Sequence, residues 1–193
     1  MKFCSVCGAT VELAIPAGDS LPRHVCPQCG TIHYQNPKLV VGCIAEWQDR
    51  ILLCRRSIEP RYGLWTLPAG FMENGESTSQ AAIRETLEEA CARVEVKQLF
   101  SLVNVPHINQ VHLFYRARLL DTDFAAGLET LETQLFSEGC VPWQSLAFQS
   151  VTLCLQAYFA DRRRGRFGVH ESSIGRRGEQ SGAAHCPQVL PSS

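Results

Sequence analysis

The apolar positions of this chain follow two periods, and the switch between them marks out its elements. Leu39–Trp47 and Ile51–Arg56 are short apolar runs separated by the polar residues Gln48–Arg50, a pattern that predicts two strands joined by a tight turn. A loop over Ser57–Gly63 leads to a further extended run, Leu64–Ala69. Val94–Val105 and Gln110–Leu119 predict strands on either side of a break at Pro106, with a shorter strand near Glu132–Phe136. Between these groups the period changes. Ser77 followed by Gln80 is a capping-box pair that starts a helix just after Ser77. Ile83, Leu87 and Ala90 share one side of that helix and predict its core-facing stripe. Pro142 fits the first turn of a short helix that Trp143 and Leu146 pin to the core. Ser150 is placed to cap a final helix, with Val151, Cys154, Leu155 and Tyr158 as its buried stripe and Gly165 as its end. Strands on both sides of one helix, followed by a terminal helix, predict an α/β/α sandwich with a mixed sheet over residues 37–163. Residues 164–193 are rich in Gly, Ser and Arg with few apolar positions, and predict a disordered basic tail.

On the opposite side of the first helix, Glu85, Glu88 and Glu89 stand at i, i+3 and i+4, so their carboxylates share one face. Three crowded like charges repel one another until a hard divalent cation sits among them. A solvated acidic face is the alternative reading of the carboxylates alone. Their frame adds to the first reading. Gly70-x5-Glu76-x7-Arg84-Glu85-x2-Glu88-Glu89 resembles the Nudix box, the loop and helix signature of the Nudix hydrolases. Pro68, Gly70, Asn74 and Gly75 mark the tight loop that precedes the helix. The resemblance implies that Glu85, Glu88, Glu89 and the Gly70 carbonyl bind Mg²⁺ or Mn²⁺. It also implies that Arg84 and Glu76 form an ion pair that orients those carboxylates. The segment departs from the family at Cys91, where a Gly ends the helix in the usual pattern.

Four of the ten cysteines form a second pattern. Cys4-x2-Cys7 and Cys26-x2-Cys29, eighteen residues apart, have the spacing of a structural zinc ribbon, and Gly8 and Gly30 follow the second Cys of each pair. Residues 1–33 are too few to hold a core unaided, so a Zn²⁺ bound by four thiolates would supply the folding energy. The six other cysteines, Cys43, Cys54, Cys91, Cys140, Cys154 and Cys186, read as small core residues.

Composition limits the function classes. At 193 residues, 45% hydrophobic and 19% charged, the chain suits one sizeable core with an accessory module. A net charge of −1 gives no overall electrostatic case for nucleic-acid or anionic-membrane binding, although residues 162–193 carry six Arg against two Glu. No run approaches the ~18 apolar residues of a membrane span. No hydrophobic leader precedes the first cysteine pair, so a cytoplasmic, reducing location is expected.

The candidate substrate contacts are Arg55, Arg56 and Arg61, which could clamp a diphosphate, and Tyr62 and Trp65, which could stack on a flat ring. His112, Phe114, Arg116 and Arg118 alternate onto one face of a strand that could meet substrate, and Glu129, Glu132 and Glu138 are candidate general bases beside the glutamates of the box. NADH pyrophosphatases also join a zinc ribbon to a Nudix domain, but carry an SQPWPFP-type segment after the box. Here that region reads LFSLVNVPHINQVHLF. FCSVCG, RHVCPQCGTIHYQNP, LLCRRSIEPRYGLWTLPAGFMENGES and VPWQSLAF are similar instead to zinc-ribbon Nudix proteins related to the plant chloroplast FAD and ADP-ribose pyrophosphatase. That resemblance implies a nucleotide substrate, FAD or ADP-ribose, split into AMP plus FMN or ribose 5-phosphate. An NADH or NAD-capped-RNA diphosphatase is the nearest alternative, and a non-catalytic nucleic-acid-binding regulator is one of another class. The sequence leaves oligomeric state open, although homodimers are common among pyrophosphatases of this type.

Overall fold

A computed structural model describes residues 1–175, and they divide into two compact units after Pro37. In the first, β1 (Glu12–Ala14), β2 (Arg23–Val25) and β3 (Ile32–His33) form a three-stranded antiparallel sheet. Apart from Cys4 and Cys26 it buries no apolar side chain, which is the condition under which a bound metal has to replace a core.

The second unit begins with β4 (Lys38–Trp47) and β5 (Arg50–Arg56), followed by the short strands β6 (Trp65–Thr66) and β7 (Ala69–Phe71). Helix α1 (Thr78–Ala90), β8 (Val94–Val105), β9 (Gln110–Leu119), β10 (Thr130–Phe136), α2 (Gln149–Arg164) and β11 (His170–Ser173) complete it. The sheet runs β10-β5-β4-β9-β8-β11, with β6 added to β5 and β7 to β4. The β4–β9 and β8–β11 pairs are parallel and the others antiparallel, so the sheet is mixed. One face carries α1 over Val41, Cys43 and Leu52, and the other carries α2 over Ile44, Leu53 and Phe100. The expected α/β/α sandwich is therefore present. Strand β4 pairs with β5 only at Glu46 and Trp47, whereas β7 pairs with Val40–Gly42 farther along. The two long strands part there, and the gap opens the sheet beside α1.

The local expectations meet different outcomes. The α1 capping box is present, with Ser77 Oγ accepting from Gln80 N at 3.3 Å and Gln80 Oε1 accepting from Ser77 N at 2.8 Å. Cys91 takes the left-handed helix-ending conformation at φ 48°, a place where a residue with a Cβ costs up to ~1 kcal/mol relative to Gly. Of the predicted core stripe of α1 only Ala90 is buried; Ile83 and Leu87 are exposed, and the rest of the buried face is Ala81, Ala82, Glu85, Thr86 and Glu89. Small residues let the helix lie close on the sheet, and that close approach turns the carboxylates inward. Ser150 is not a cap either; Phe148 holds that position, and Ser150 is buried in the first turn of α2. Gly165 ends α2 as expected. Among the scattered cysteines, Cys43, Cys54 and Cys154 are buried, Cys91 and Cys140 are exposed, and Cys186 lies outside the described residues.

The tail expected to be disordered is ordered through residue 175; the remainder falls outside the described residues. Phe167 packs on Phe100 and Tyr158, with the Arg116 guanidinium over its ring. Strand β11 extends the sheet edge, and Ile174 is buried against Val103 and Val105. The buried Asp161 accepts from His170 Nε2 at 2.7 Å and Gly168 N at 3.0 Å, bonds that hold its carboxyl below the usual range, His170 first. The sparse apolar residues of this segment are spaced to reach existing core, which composition does not register. A chain ending at Gly165 should therefore melt on the order of 10 °C below one ending at Gly175, given ~2–5 kcal/mol for lost large apolar contacts. Equal melting temperatures for the two chains would show that β11 adds no stability.

Among the described residues no helix is long and apolar enough to cross a membrane.

Candidate functional site

The gap between β4 and β5 leads into a cleft of about 960 Å³. Helix α1 lines one side with Arg84, Glu85, Glu88 and Glu89, β7 contributes Ala69–Phe71, and β9 with the start of α2 forms the far wall. The acidic face predicted from spacing thus points into a cavity, with Glu85 and Glu89 each less than a tenth exposed.

Arg84 organises this face. Its Nη2 donates to Glu76 Oε1 at 2.7 Å and to the Phe71 carbonyl at 3.1 Å, and its Nε donates to Glu76 Oε2 at 3.1 Å. Its Nη1 bridges Glu85 Oε1 at 2.8 Å and Glu88 Oε2 at 3.0 Å. The Arg84 guanidinium holds the Glu76 carboxyl below the usual range. Glu89 Oε2 accepts from Ala69 N at 3.0 Å, yet burial pushes its carboxyl up to about 7, with Glu85 adding to the rise. Glu85 is raised by burial as well, against the pull of Arg84. Carboxylates held in a partly dry cavity beside like charges are destabilised as anions, a condition that a cation relieves.

Glycine at position 70 is what lets Glu85 reach this place. A Cβ built there would collide with the carbon and both oxygens of the Glu85 carboxylate. The donor set is all oxygen and suits a hard cation such as Mg²⁺ or Mn²⁺. Among the described residues, though, only the four ribbon cysteines have their ligating atoms all within 4.8 Å of one another. For one ion to meet all three glutamates, Glu88 would leave Arg84 and the carboxylates would draw together.

The cysteines of the first unit are already gathered. Cys4 Sγ lies 3.7 Å from Cys29 Sγ, and Cys7 Sγ lies 3.5 Å from Cys26 Sγ. Tetrahedral Zn–S bonds of about 2.3 Å place sulfurs about 3.8 Å apart, whereas a disulfide brings them to about 2.05 Å. Each pair sits on a knuckle closed by a backbone bond, Gly8 N to Cys4 O at 3.0 Å and Gly30 N to Cys26 O at 2.9 Å. His33 Nε2 stands 3.3 Å from Cys4 Sγ, where an N–H would support the thiolate. Four thiolates leave no open position, which suits a structural Zn²⁺.

Residues 2–35 match the zinc ribbon described as Nudix N-terminal, and residues 36–148, more than half of the chain, match the NUDIX domain. The chain belongs to the Nudix family. A NUDIX hydrolase from Nitrosomonas europaea has a similar crystal structure, with 54% sequence identity and a TM-score of 0.88 over 90% of this chain and 99% of that one. An ADP-ribose pyrophosphatase of Methanocaldococcus jannaschii is 32% identical over 119 residues, 60% of this chain and 69% of that protein. The NAD-capped RNA hydrolase NudC of Photobacterium profundum is 36% identical over 102 residues, 52% of this chain and 36% of that protein. The chain spans about half the length, or less, of the NAD-capped RNA hydrolases it matches.

Not every candidate named from the sequence of this Nudix protein reaches the cleft. Arg56 does, with its Nε donating to the Pro60 carbonyl at 3.0 Å and its guanidinium over the Phe148 ring, and Phe114 does from β9. Arg55 instead bonds the Gly63 carbonyl and pairs with Glu132, and Arg61 is exposed in the loop. Trp65 stacks edge-on against Phe136 in the core beneath α2, and Tyr62 is exposed away from the cleft. Adjacent residues on a strand face opposite ways, so Arg55 and Arg56 could not both point inward. Arg116 pairs with Glu46 and Arg118 with Glu95, which turns both to other tasks. Of the candidate bases outside the box only Glu129 lines the cleft. Phe148, Ser150, Gln110 and Ile58 line it without any local signal, because they come from segments far apart in sequence.

Gly70→Ala should preserve the fold, because the colliding group is the movable end of a side chain, while displacing the Glu85 carboxylate. A displacement of about 1 Å is enough to cost roughly 10²-fold in catalytic efficiency. Steady-state kinetics beside a melting curve check this, and activity within threefold of the parent would disconnect Gly70 from the site.

Proposed function

We propose that this Nudix protein hydrolyses the diphosphate bond of a nucleoside diphosphate linked to another moiety, with ADP-ribose or FAD as the preferred substrate. The observation that carries the reading is the set of Glu85, Glu88 and Glu89, oriented by Arg84 and turned into a cleft of about 960 Å³. A bound Mg²⁺ or Mn²⁺ would neutralise phosphate oxygens and make water a better nucleophile. Glu85, Glu88 and Glu89 would hold the ion. Arg84 and Glu76 keep those carboxylates aimed, and Gly70 leaves room for Glu85. Arg56, steadied by Phe148 and the Pro60 carbonyl, is placed to bind the diphosphate. Ile58, Pro60, Phe71 and Phe148 line the cleft and would exclude bulk water around the bound substrate.

The ADP-ribose preference is supported by the similarity to an ADP-ribose pyrophosphatase and by the absence of the SQPWPFP-type segment. FAD rests on the resemblance to the plant chloroplast group alone. A second reading, NADH or NAD-capped RNA, is favoured by the several NAD-capped RNA hydrolases among the relatives. Incubating the purified chain with FAD, ADP-ribose, NADH and NAD-capped RNA, each with Mg²⁺ or Mn²⁺, separates the readings by their products. AMP formed fastest from ADP-ribose or FAD is the expected result; faster cleavage of NADH or capped RNA would replace it with the second. No product from any of the four would remove the diphosphatase reading.

A further inference from the structure

The far wall of the cleft carries a polar chain that the carboxylate chemistry does not use. His112 on β9 bonds Gln110 Oε1 through Nε2 at 3.0 Å and Ser150 Oγ through Nδ1 at 2.8 Å. All three residues line the cleft, and His112 and Ser150 are buried. A carbonyl oxygen opposite Nε2 calls for an N–H there, so Nδ1 accepts from the Ser150 hydroxyl. Neither ring nitrogen is bonded to a carboxylate, and burial lowers the imidazole pKa, which favours the neutral ring. Two capacities remain: the amide N–H groups of Gln110 and the lone pairs of Ser150 Oγ. Val40, Ile108 and Phe148 line the cleft too, giving a neutral donor and acceptor in apolar surroundings.

The sheet register separates this patch from the strand on which Glu85 rests. Phe71 pairs with Val40, and Val40 pairs with His112, so the three residues form one row across β7, β4 and β9. Phe71 follows Gly70, the residue on which Glu85 rests, and the backbones of Phe71 and His112, two strand spacings apart, stand roughly 10 Å from each other. A diphosphate alone does not bridge that separation, whereas a ribose and its ring do.

We propose that Gln110, His112 and Ser150 form a specificity subsite for the flat, neutral heterocycle of a nucleotide, one whose edge carries an adjacent donor and acceptor. His112 fixes the other two side chains, Gln110 and Ser150 read the ring edge, and Val40 and Ile108 give it apolar walls. The inference rests on the diphosphatase reading above, since it assigns the ring of that substrate. Adenine and flavin carry such an edge on a neutral ring, whereas nicotinamide mononucleotide carries it on the carboxamide of a cationic ring, and the probes below separate them.

Calorimetric titration with monophosphates tests the subsite without turnover, because they contain no diphosphate bond. AMP, FMN and nicotinamide mononucleotide carry the three rings, and ribose 5-phosphate is the ringless control, each with Mg²⁺ present. The parent chain should bind at least one ring-bearing nucleotide tenfold or more tightly than ribose 5-phosphate. Gln110→Ala and His112→Phe should each remove most of that margin and leave ribose 5-phosphate affinity within twofold. Gln110 is only half-buried, so its variant keeps the test valid if His112→Phe folds poorly. A parent without ring preference, or a Gln110→Ala chain that keeps it, would overturn the subsite. A chain that prefers the ring yet cleaves nothing in the substrate panel would count against hydrolysis and leave the subsite standing.

Discussion

Glu88→Gln is expected to lower turnover by roughly 10³-fold or more while the melting temperature stays nearly unchanged. Each ~1.4 kcal/mol of lost transition-state stabilisation is a factor of ten, and removing one negative ligand from a catalytic cation costs several kcal/mol. The fold should tolerate the change because the Glu88 side chain is 58% exposed and its ion pair is to Arg84, which keeps Glu76 and Glu85 as partners. The amide fills the same space and can still accept a bond from Arg84. The loss should appear in kcat more than in KM, since charge neutralisation matters most as phosphoryl charge develops. Rates within tenfold of the parent on its best substrate, at saturating Mg²⁺ or Mn²⁺, would remove Glu88 from the proposed metal site.

Cys26→Ser should release the zinc and unfold the first unit. Cys26 is fully buried, closes its knuckle through two backbone bonds and stands 3.5 Å from Cys7 Sγ. Soft thiolates select Zn²⁺, and three of them with a hydroxyl hold it far less tightly. In a unit with almost no other buried apolar surface, the free energy of metal binding, about 10–16 kcal/mol in zinc-finger peptides, is the free energy of folding. Metal analysis after washing with chelator should find about one zinc per parent chain, the stoichiometry of a four-thiolate site, and almost none in the variant. Proteolysis should then cut the variant within residues 1–37 first, because the second unit has a core of its own. Full zinc content in Cys26→Ser would show that the sulfurs do not hold the ion as inferred.

The parts legible in the sequence are those set by neighbours along the chain. Ser77 and Gln80 lie three residues apart and start α1 where expected, because capping bonds close within one turn. The spacing of Glu85, Glu88 and Glu89 placed them on one face, and the two Cys-x2-Cys knuckles were readable for the same reason. The long strands were legible from uninterrupted apolar runs, and Val94–Val105 and Gln110–Leu119 have their predicted ends. What turned toward what was decided only by packing. Periodicity divides α1 into two sides, but the sheet accepted the small residues with their adjoining carboxylates and left Ile83 and Leu87 exposed. Arg56 faces the cleft and Arg55 does not because β5 is held between β10 and its other partners, a constraint absent from the two residues themselves. His112 meets Ser150 across 38 residues, and β11 finds the edge of β8 across about 70. Such contacts form when distant segments share one core, and their geometry is fixed by the sheet register rather than by any local pattern.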